Sequence, residues 1–220
     1  MVWTVHFANA SGALDELIEP INCSIEDVRG RAEQVLQPVS IDIVVQNWPS
    51  RVIEHLGFVG YAPTGWMMQL TFDSENPNCR AHLHEPLRRT IAHELHHVLR
   101  WRGPGYGTTL GEALVSEGLA GQFACQLYGL KPERWEVALN SPSLVQIARM
   151  AEASWEAADY DHSAWFFGAG EQPPWAGYSL GYALVGRYLK DNPHATAASS
   201  VHENADTFRE PLRCLAEACG

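Results

Sequence analysis

The sequence lacks several features that would place it in large classes of protein. It has no run of eighteen apolar residues, as a membrane-spanning helix requires, and it does not begin with the basic and apolar regions of a signal peptide. It also has no cluster of Lys and Arg, and its net charge is -11. Nucleic acids and anionic membranes are therefore not expected as partners, and we expect a cytoplasmic protein.

Cysteines are few and scattered. The chain has 5 cysteines and no C-x-x-C pair, which is typical of reduced thiols in a cytosol. Cys214 and Cys219 are close enough in sequence to pair, so a disulfide there stays open. Repeats and low-complexity tracts are also absent. With 220 residues and 46% hydrophobic content, the chain can bury a full core as one domain or two lobes.

A metal-binding pattern is present in the middle of the chain. His93-Glu94-Leu95-His96-His97 form H-E-x-x-H, which on a helix sets His93 and His97 one turn apart on one face, able to share a zinc ion. Glu94 lies close enough to that face to reach a metal-bound water and act as its general base. The motif therefore predicts zinc as the cofactor and hydrolysis as the reaction.

The residues around the motif predict its orientation. The segment 86–102 follows the spacing of one helix, with an apolar stripe formed by Leu87, Ile91, Leu95 and Val98. At about 100° per residue, His93 and His97 fall away from this stripe. We therefore expect both imidazoles to point out of the core.

A catalytic zinc needs a third protein ligand. The metal helix should end at residues 103–105, Gly-Pro-Gly, and a second helix should begin after a capping box formed by Thr109 and Glu112. In an antiparallel hairpin of these helices, Glu117 would lie level with His97. Glu117 is therefore the predicted third ligand, while Glu112 is assigned a structural role.

These motifs resemble a known family. Residues 90–100 and 116–120, the latter reading Ser-Glu-Gly-Leu-Ala, look like the bacterial family of predicted zinc-dependent proteases with an E-G-L-A second motif. That family also tends to carry G-Y-x-x-G-Y, which stands here at residues 177–182. H-E-x-x-H followed by nineteen residues and Glu further resembles the gluzincin arrangement of thermolysin-like metallopeptidases. The resemblance covers roughly residues 40–190.

The resemblance implies a zincin fold, a single zinc ion and peptide-bond hydrolysis. It also implies that residues 67–72 form an edge strand beside the metal helix, on which an extended substrate pairs. One departure matters. Thermolysin-type enzymes place an Asp four residues after the ligand Glu, and this chain has Gly121 there. Whatever orients His93 must therefore come from elsewhere.

Peptide hydrolysis develops negative charge on an oxygen, so a donor besides zinc is expected. Tyr178 and Tyr182 lie four residues apart on a predicted helix, and only one of them needs to reach the site. Core packing is an equal alternative for Tyr178. His162 is a second candidate, because it lies in a polar segment that is typical of a loop.

Other polar residues near the motif are given ordinary roles. His82 and His84 are expected to be solvated. His96 lies about 60° from His93 around the helix, so it could contact substrate or compete for metal, but supporting the metal ligands or forming the wall of a cleft fits it better. Arg100 is expected to be a solvated cation at the helix end, with pairing to a carboxylate as the alternative.

The pattern changes near residue 85. Before it, strands are predicted at 2–7, 41–46, 58–61 and 66–72, with a helix from Ser24 to Gln37. After it, helices are predicted near 86–102, 110–128, 133–139, 142–157, 175–190 and 206–218. We therefore predict an α+β, zincin-like fold. A lobe of residues 1–105 ends in the metal helix, and a helical lobe of residues 106–220 carries the third ligand.

The predicted function is that of a zinc metallopeptidase. Zinc held by His93, His97 and Glu117 activates a water, Glu94 accepts its proton, and Tyr178 or His162 stabilises the oxyanion. The expected partner is a peptide or protein substrate. Two alternatives stay open: a zinc hydrolase of a non-peptide amide, and a non-catalytic module that binds a partner.

Overall fold

The strands predicted in the first half of the chain form one mixed sheet. The computed structural model describes residues 1–217, and the chain divides into two compact units, Met1–Trp101 and the part from Arg102 onward. The first unit contains four strands: β1 (Val2–Ala8), β2 (Ser40–Asn47), β3 (Phe58–Thr64) and β4 (Met67–Phe72). The architecture is α+β, as the sequence predicts.

The strand order in the sheet is β1-β2-β4-β3. β1, β2 and β4 are parallel, whereas β3 is antiparallel to β4. The prediction that residues 67–72 form the edge next to the metal helix is therefore wrong. β3 and β4 form a hairpin with a two-residue turn, and β4 also pairs with β2, so β3 is left at the edge.

The helices of the first unit are α1 (Ile18–Ala32), the short α2 (Pro77–Ala81) and α3 (Glu85–Arg100). α3 is the predicted metal helix. α1 begins six residues before the predicted start, because Ser24 is not a cap. Ser24 is buried inside the helix and its hydroxyl donates to the carbonyl oxygen of Leu83, 2.6 Å away, just ahead of α3.

The second unit is helical. Its helices are α4 (Leu110–Tyr128), α5 (Ser141–Ala153), α6 (Ala176–Asp191) and α7 (Arg209–Ala216). α4 has the predicted bounds and the predicted capping box, in which Thr109 and Glu112 bind each other's backbone amides. α4 and α6 approach closely where Gly118 faces the backbone carbonyl of Gly181. Only glycine fits at position 118, because a Cβ there would collide with that oxygen.

Three predicted helices need correction. Residues 133–139 form turns, since the carboxylate of Glu136 folds back to accept from the amide of Glu133, 2.6 Å away. The helix predicted at 142–157 ends at Ala153, and carbonyls of the segment that follows accept from the first amides of α4. In place of the helix predicted at 206–218, of which residue 218 lies outside the described part, the chain forms a 3₁₀ turn, Ala205–Phe208, followed by α7.

Two short helices were not part of the predicted pattern of elements, and the cysteines within the described residues are free thiols. The sequence did not predict α2 or the short π-helix Ser163–Phe167, which precedes a left-handed Gly168. Cys23, Cys79, Cys125 and Cys214 are free thiols, and Cys219 lies outside the described residues. Within residues 1–217, no helix has the length and apolar character of a membrane-crossing segment.

Candidate metal centre

The two motif histidines face each other on α3. The Nε2 atoms of His93 and His97 lie 3.0 Å apart, and their rings are nearly perpendicular, at 77°. One helical turn separates the residues, so both imidazoles extend along the same face. Two Nε2 atoms that point at one another can share either a proton or a metal ion.

The donor set fits zinc. Two imidazole nitrogens on a tetrahedral zinc lie about 3.3 Å from one another, since each bond is about 2.0–2.1 Å long. The separation of 3.0 Å between the His93 and His97 nitrogens is within a few tenths of an ångström of that value. Neutral imidazole is also a preferred zinc ligand. The separation of the two nitrogens therefore agrees with that of two imidazole ligands on one zinc ion.

The C-terminal half of α3 is more buried than its pattern predicts. His97 is only 7% exposed, His96 is fully buried and Arg100 is 1% exposed, while His93 is half-buried. The expectation that both imidazoles point out of the core is therefore wrong for His97. The expectation of a solvated Arg100 is wrong too. Every residue from Leu95 to Arg100 is buried, so this part of α3 is covered all round.

Glu94, the predicted base, lies against the edge strand. It is half-buried, and a Cβ on Gly60 of β3 would come 2.5 Å from its Cγ and 2.8 Å from Cγ2 of Thr90. A side chain at position 60 would therefore displace the carboxylate. Sequence reasoning missed Gly60, and the signal that could have found it is a glycine inside a strand pattern.

Glu117, the predicted third ligand, lies on α4 and is half-buried. The hydroxyl of Tyr106 donates to its Oε1 atom, 2.8 Å away. Burial and the neighbouring Glu117 carboxylate raise the pKa of Tyr106 far above its ordinary value, so this hydroxyl stays protonated and remains a donor. Sequence reasoning missed Tyr106. Its signal is a lone aromatic between Gly105 and Gly107 in the turn before α4.

His162 lies in the second unit between two aromatic side chains. Its Nδ1 atom is 3.1 Å from the hydroxyl of Tyr160, and its ring stacks on Phe166 with centroids 4.4 Å apart. Burial lowers the pKa of His162, while the carboxylates of Glu117 and Asp161 oppose that change. Burial, and after it the charges of Glu117 and Glu112, raise the pKa of Tyr160.

Tyr178 and Tyr182, the two tyrosines of the segment 177–182, have different surroundings. The hydroxyl of Tyr182 donates to Sγ of Cys125, 3.4 Å away, so this residue joins α6 to α4. Tyr178 packs its ring edge-to-face on Phe166, with centroids 5.1 Å apart. Five side chains therefore form what we call the aromatic cluster: Tyr106, Tyr160, His162, Phe166 and Tyr178.

The space beside Gly121, where thermolysin-type enzymes have an Asp, is filled by a carboxylate from another part of the chain. Oε1 of Glu136 lies 2.3 Å from the position that a Cβ of residue 121 would take, and Glu136 is only 5% exposed. Sequence reasoning missed Glu136 because it assigned residues 133–139 to a helix. A buried carboxylate is thus present one turn after Glu117 although position 121 has no side chain.

Comparison with known proteins assigns the chain to a family. The model of the family described as "Predicted Zn-dependent protease (DUF2268)" matches residues 20–210, which is most of the chain. No curated protein and no solved structure matches the chain. The matched region includes α3 with its histidine pair and α4 with Glu117. The chain therefore belongs to the family of predicted zinc-dependent proteases.

Proposed function

We propose that the protein is a zinc metallopeptidase in which His93, His97 and Glu117 hold one zinc ion. The observation that carries this proposal is the pair of facing Nε2 atoms on α3, 3.0 Å apart, next to Glu94. Two imidazoles and one carboxylate are the protein ligands of many catalytic zinc sites, which leave one position open. The family description supports the same metal and the same class of reaction.

Glu94 is the proposed base. Zinc held at this site would supply Lewis acidity toward water and toward the scissile carbonyl. Glu94 follows His93 directly and takes up the proton of the attacking water, then returns it to the leaving amine. Gly60 has no side chain and so leaves room for the Glu94 side chain, since a Cβ at position 60 would lie 2.5 Å from Cγ of Glu94.

Tyr106 is proposed to orient the third ligand. Its hydroxyl donates to Oε1 of Glu117, 2.8 Å away, and so holds the carboxylate in one orientation. Hydrogen bonds to a ligand carboxylate fix its orientation and strengthen metal binding. Because Tyr106 stays protonated, this hydrogen bond persists at neutral pH.

His162 and Tyr178 are the proposed donors to the oxyanion. In this proposal Tyr160 donates to Nδ1 of His162, 3.1 Å away, which places the imidazole proton on Nε2 and makes that atom a donor. The lowered pKa keeps the ring neutral, and the proton of a neutral ring is held in one tautomer by Tyr160. Tyr178 carries a hydroxyl within the same aromatic cluster and is the second donor of the proposal.

The metal site is tested by zinc content. We expect plasma mass spectrometry of untagged protein to give about one zinc per chain, and the metal to be lost in His97→Ala and Glu117→Ala. His84→Ala and Glu152→Ala are matched controls at exposed positions and should retain it. Wild-type protein without zinc after reconstitution would contradict the proposal. A zinc protein that cleaves small amides and no member of a peptide library would favour a non-peptide substrate.

A further inference from the structure

The free edge of β3 has a defined hydrogen-bonding pattern. The amide of Asp73 donates to the carbonyl of Gly57, 2.9 Å away, so Gly57 and every second residue after it direct their backbone toward β4. Phe58 and Gly60 alternate with these residues and pair with Phe72 and Leu70 without hydrogen bonds. The N–H and C=O groups of Phe58 and Gly60 therefore point away from the sheet.

Two contacts close this edge on either side of Gly60. The amide of Ile53 donates to the carbonyl of Phe58, 3.3 Å away. The indole N–H of Trp101 donates to the carbonyl of Ala62, 2.8 Å away. Pro63 follows, and it has no N–H to offer to a partner strand. Within residues 1–217, no backbone hydrogen bond outside the helices and strands involves Gly60.

Gly60 also lies beside the proposed base. Its missing side chain is the space that Glu94 occupies, with the Glu94 carboxyl carbon 3.1 Å from the position of a Cβ. Gly60 is partly exposed. One donor and one acceptor on a single residue of a strand edge match the backbone of one residue of an extended peptide. The occupant of this edge is therefore an extended peptide chain.

We propose that Trp101 is a specificity-determining residue, because its indole limits the pairing of an extended peptide on β3 to the single residue Gly60. This inference rests on the proposed peptidase function. With the Ala62 carbonyl occupied, a substrate amide finds a backbone acceptor at Gly60 and none two residues further on. Trp101 is 42% exposed, so its replacement removes the hydrogen bond to the Ala62 carbonyl without creating a cavity in the core.

The test counts the peptide amides that matter for binding. A peptide is selected by affinity from a random eight-residue library on zinc-loaded Glu94→Gln protein, and then N-methylated at each amide in turn. In the Glu94→Gln protein we expect methylation of one amide to weaken binding about tenfold, as expected for one lost backbone hydrogen bond. In the Glu94→Gln protein that also carries Trp101→Phe, the Ala62 carbonyl is no longer occupied. Methylation of a second peptide amide, two residues from the first, should then weaken binding equally.

A matched control and two contrary results complete the experiment. Trp48→Phe changes another exposed tryptophan of the first unit and should leave one sensitive amide. Two sensitive amides before the Trp101 change, or a single one after it, would overturn the inference while leaving the peptidase function in place. If no library peptide binds and the wild-type chain cleaves none, both the inference and the proposed function fail.

Discussion

The histidine pair on α3 and the aromatic cluster of the second unit are built in different ways. His93, Glu94 and His97 lie within five residues of one helix, so their spacing alone sets their geometry. The aromatic cluster and Glu117 come from a turn, from α4, from the segment before Gly168 and from α6. The comparison teaches that the proposed metal ligands on α3 come from a local motif, whereas the side chains around Glu117 come from residues distant in sequence.

The sharpest way to test the local motif is to remove its base. Glu94→Gln keeps the size of the side chain and cannot accept a proton, so kcat should fall by about 10²–10⁴-fold while zinc content stays at one per chain. Glu85→Gln, at an exposed position of the same helix, is the control and should change little. Turnover of the Glu94→Gln protein within twofold of wild type would remove Glu94 from the mechanism.

A second test concerns the strand beneath the base. In Gly60→Ala the new methyl group would lie 2.5 Å from Cγ of Glu94, so the carboxylate must move. Since a displacement of about 1 Å can cost 10²-fold in rate, we expect kcat to fall about 100-fold with zinc content unchanged. Gly30→Ala on α1 has no atom within 4 Å of the new methyl and serves as the control. Full activity of Gly60→Ala would argue against this placement of Glu94.

Tyr106→Phe tests the part of the proposal that rests on distant residues. The substitution removes the hydroxyl that donates to Oε1 of Glu117 and keeps the ring. Zinc affinity, measured by competition with a chromogenic chelator, should fall about 10–100-fold. Tyr61→Phe, at a position that is 60% exposed, should leave the affinity unchanged. Equal affinities in the two variants would mean that Tyr106 does not orient the ligand.

The smallest expected effect is a pH dependence of stability. Burial lowers the pKa of His162 in the folded state, so the unfolded chain binds the proton more readily as the pH falls. The stabilisation is therefore present above the ordinary histidine pKa of about 6.5 and is lost as pH falls through the lower folded value. Because the imidazole is partly solvated, we expect less than about 1 kcal/mol.

Urea unfolding of zinc-free protein at pH 7.5 and at pH 5.5 measures this effect. The loss of unfolding free energy on acidification should be smaller in His162→Gln than in wild type. His194→Gln, at an exposed position, is the control and should keep the wild-type difference. An identical pH dependence in all three proteins would show that His162 is not a buried neutral imidazole.

The sequence predicted the elements whose signals are local. The four strands and α4 with its capping box match prediction, because alternation and a cap are properties of neighbouring residues. The strand order could not be predicted, because no pattern among neighbouring residues indicates which strand lies at the edge of a sheet. Residues 67–72 were therefore wrongly predicted to form the edge. The burial of Arg100 and His97 was also missed, because helix register identifies one apolar stripe and not the surroundings of the other faces.

The site shows the same division. His93, Glu94 and His97 could be named from their spacing, and Glu117 from the predicted hairpin of the two helices, and their roles stay predictions. Tyr106, Glu136 and Gly60 could not be named. Tyr106 contacts Glu117 across eleven residues, and Glu136 fills the space at Gly121 from a segment that was assigned to a helix. Contacts of this kind depend on how the chain folds back on itself, which neither periodicity nor motif spacing encodes.

The central claim, that His93, His97 and Glu117 hold a zinc ion, is tested most directly by X-ray absorption at the zinc edge of reconstituted protein. We predict two imidazole nitrogens and at least one oxygen at about 2.0–2.2 Å. A Tyr106→Phe sample should keep the two imidazoles. A first shell with sulfur at about 2.3 Å, or with one imidazole or none, would contradict the account.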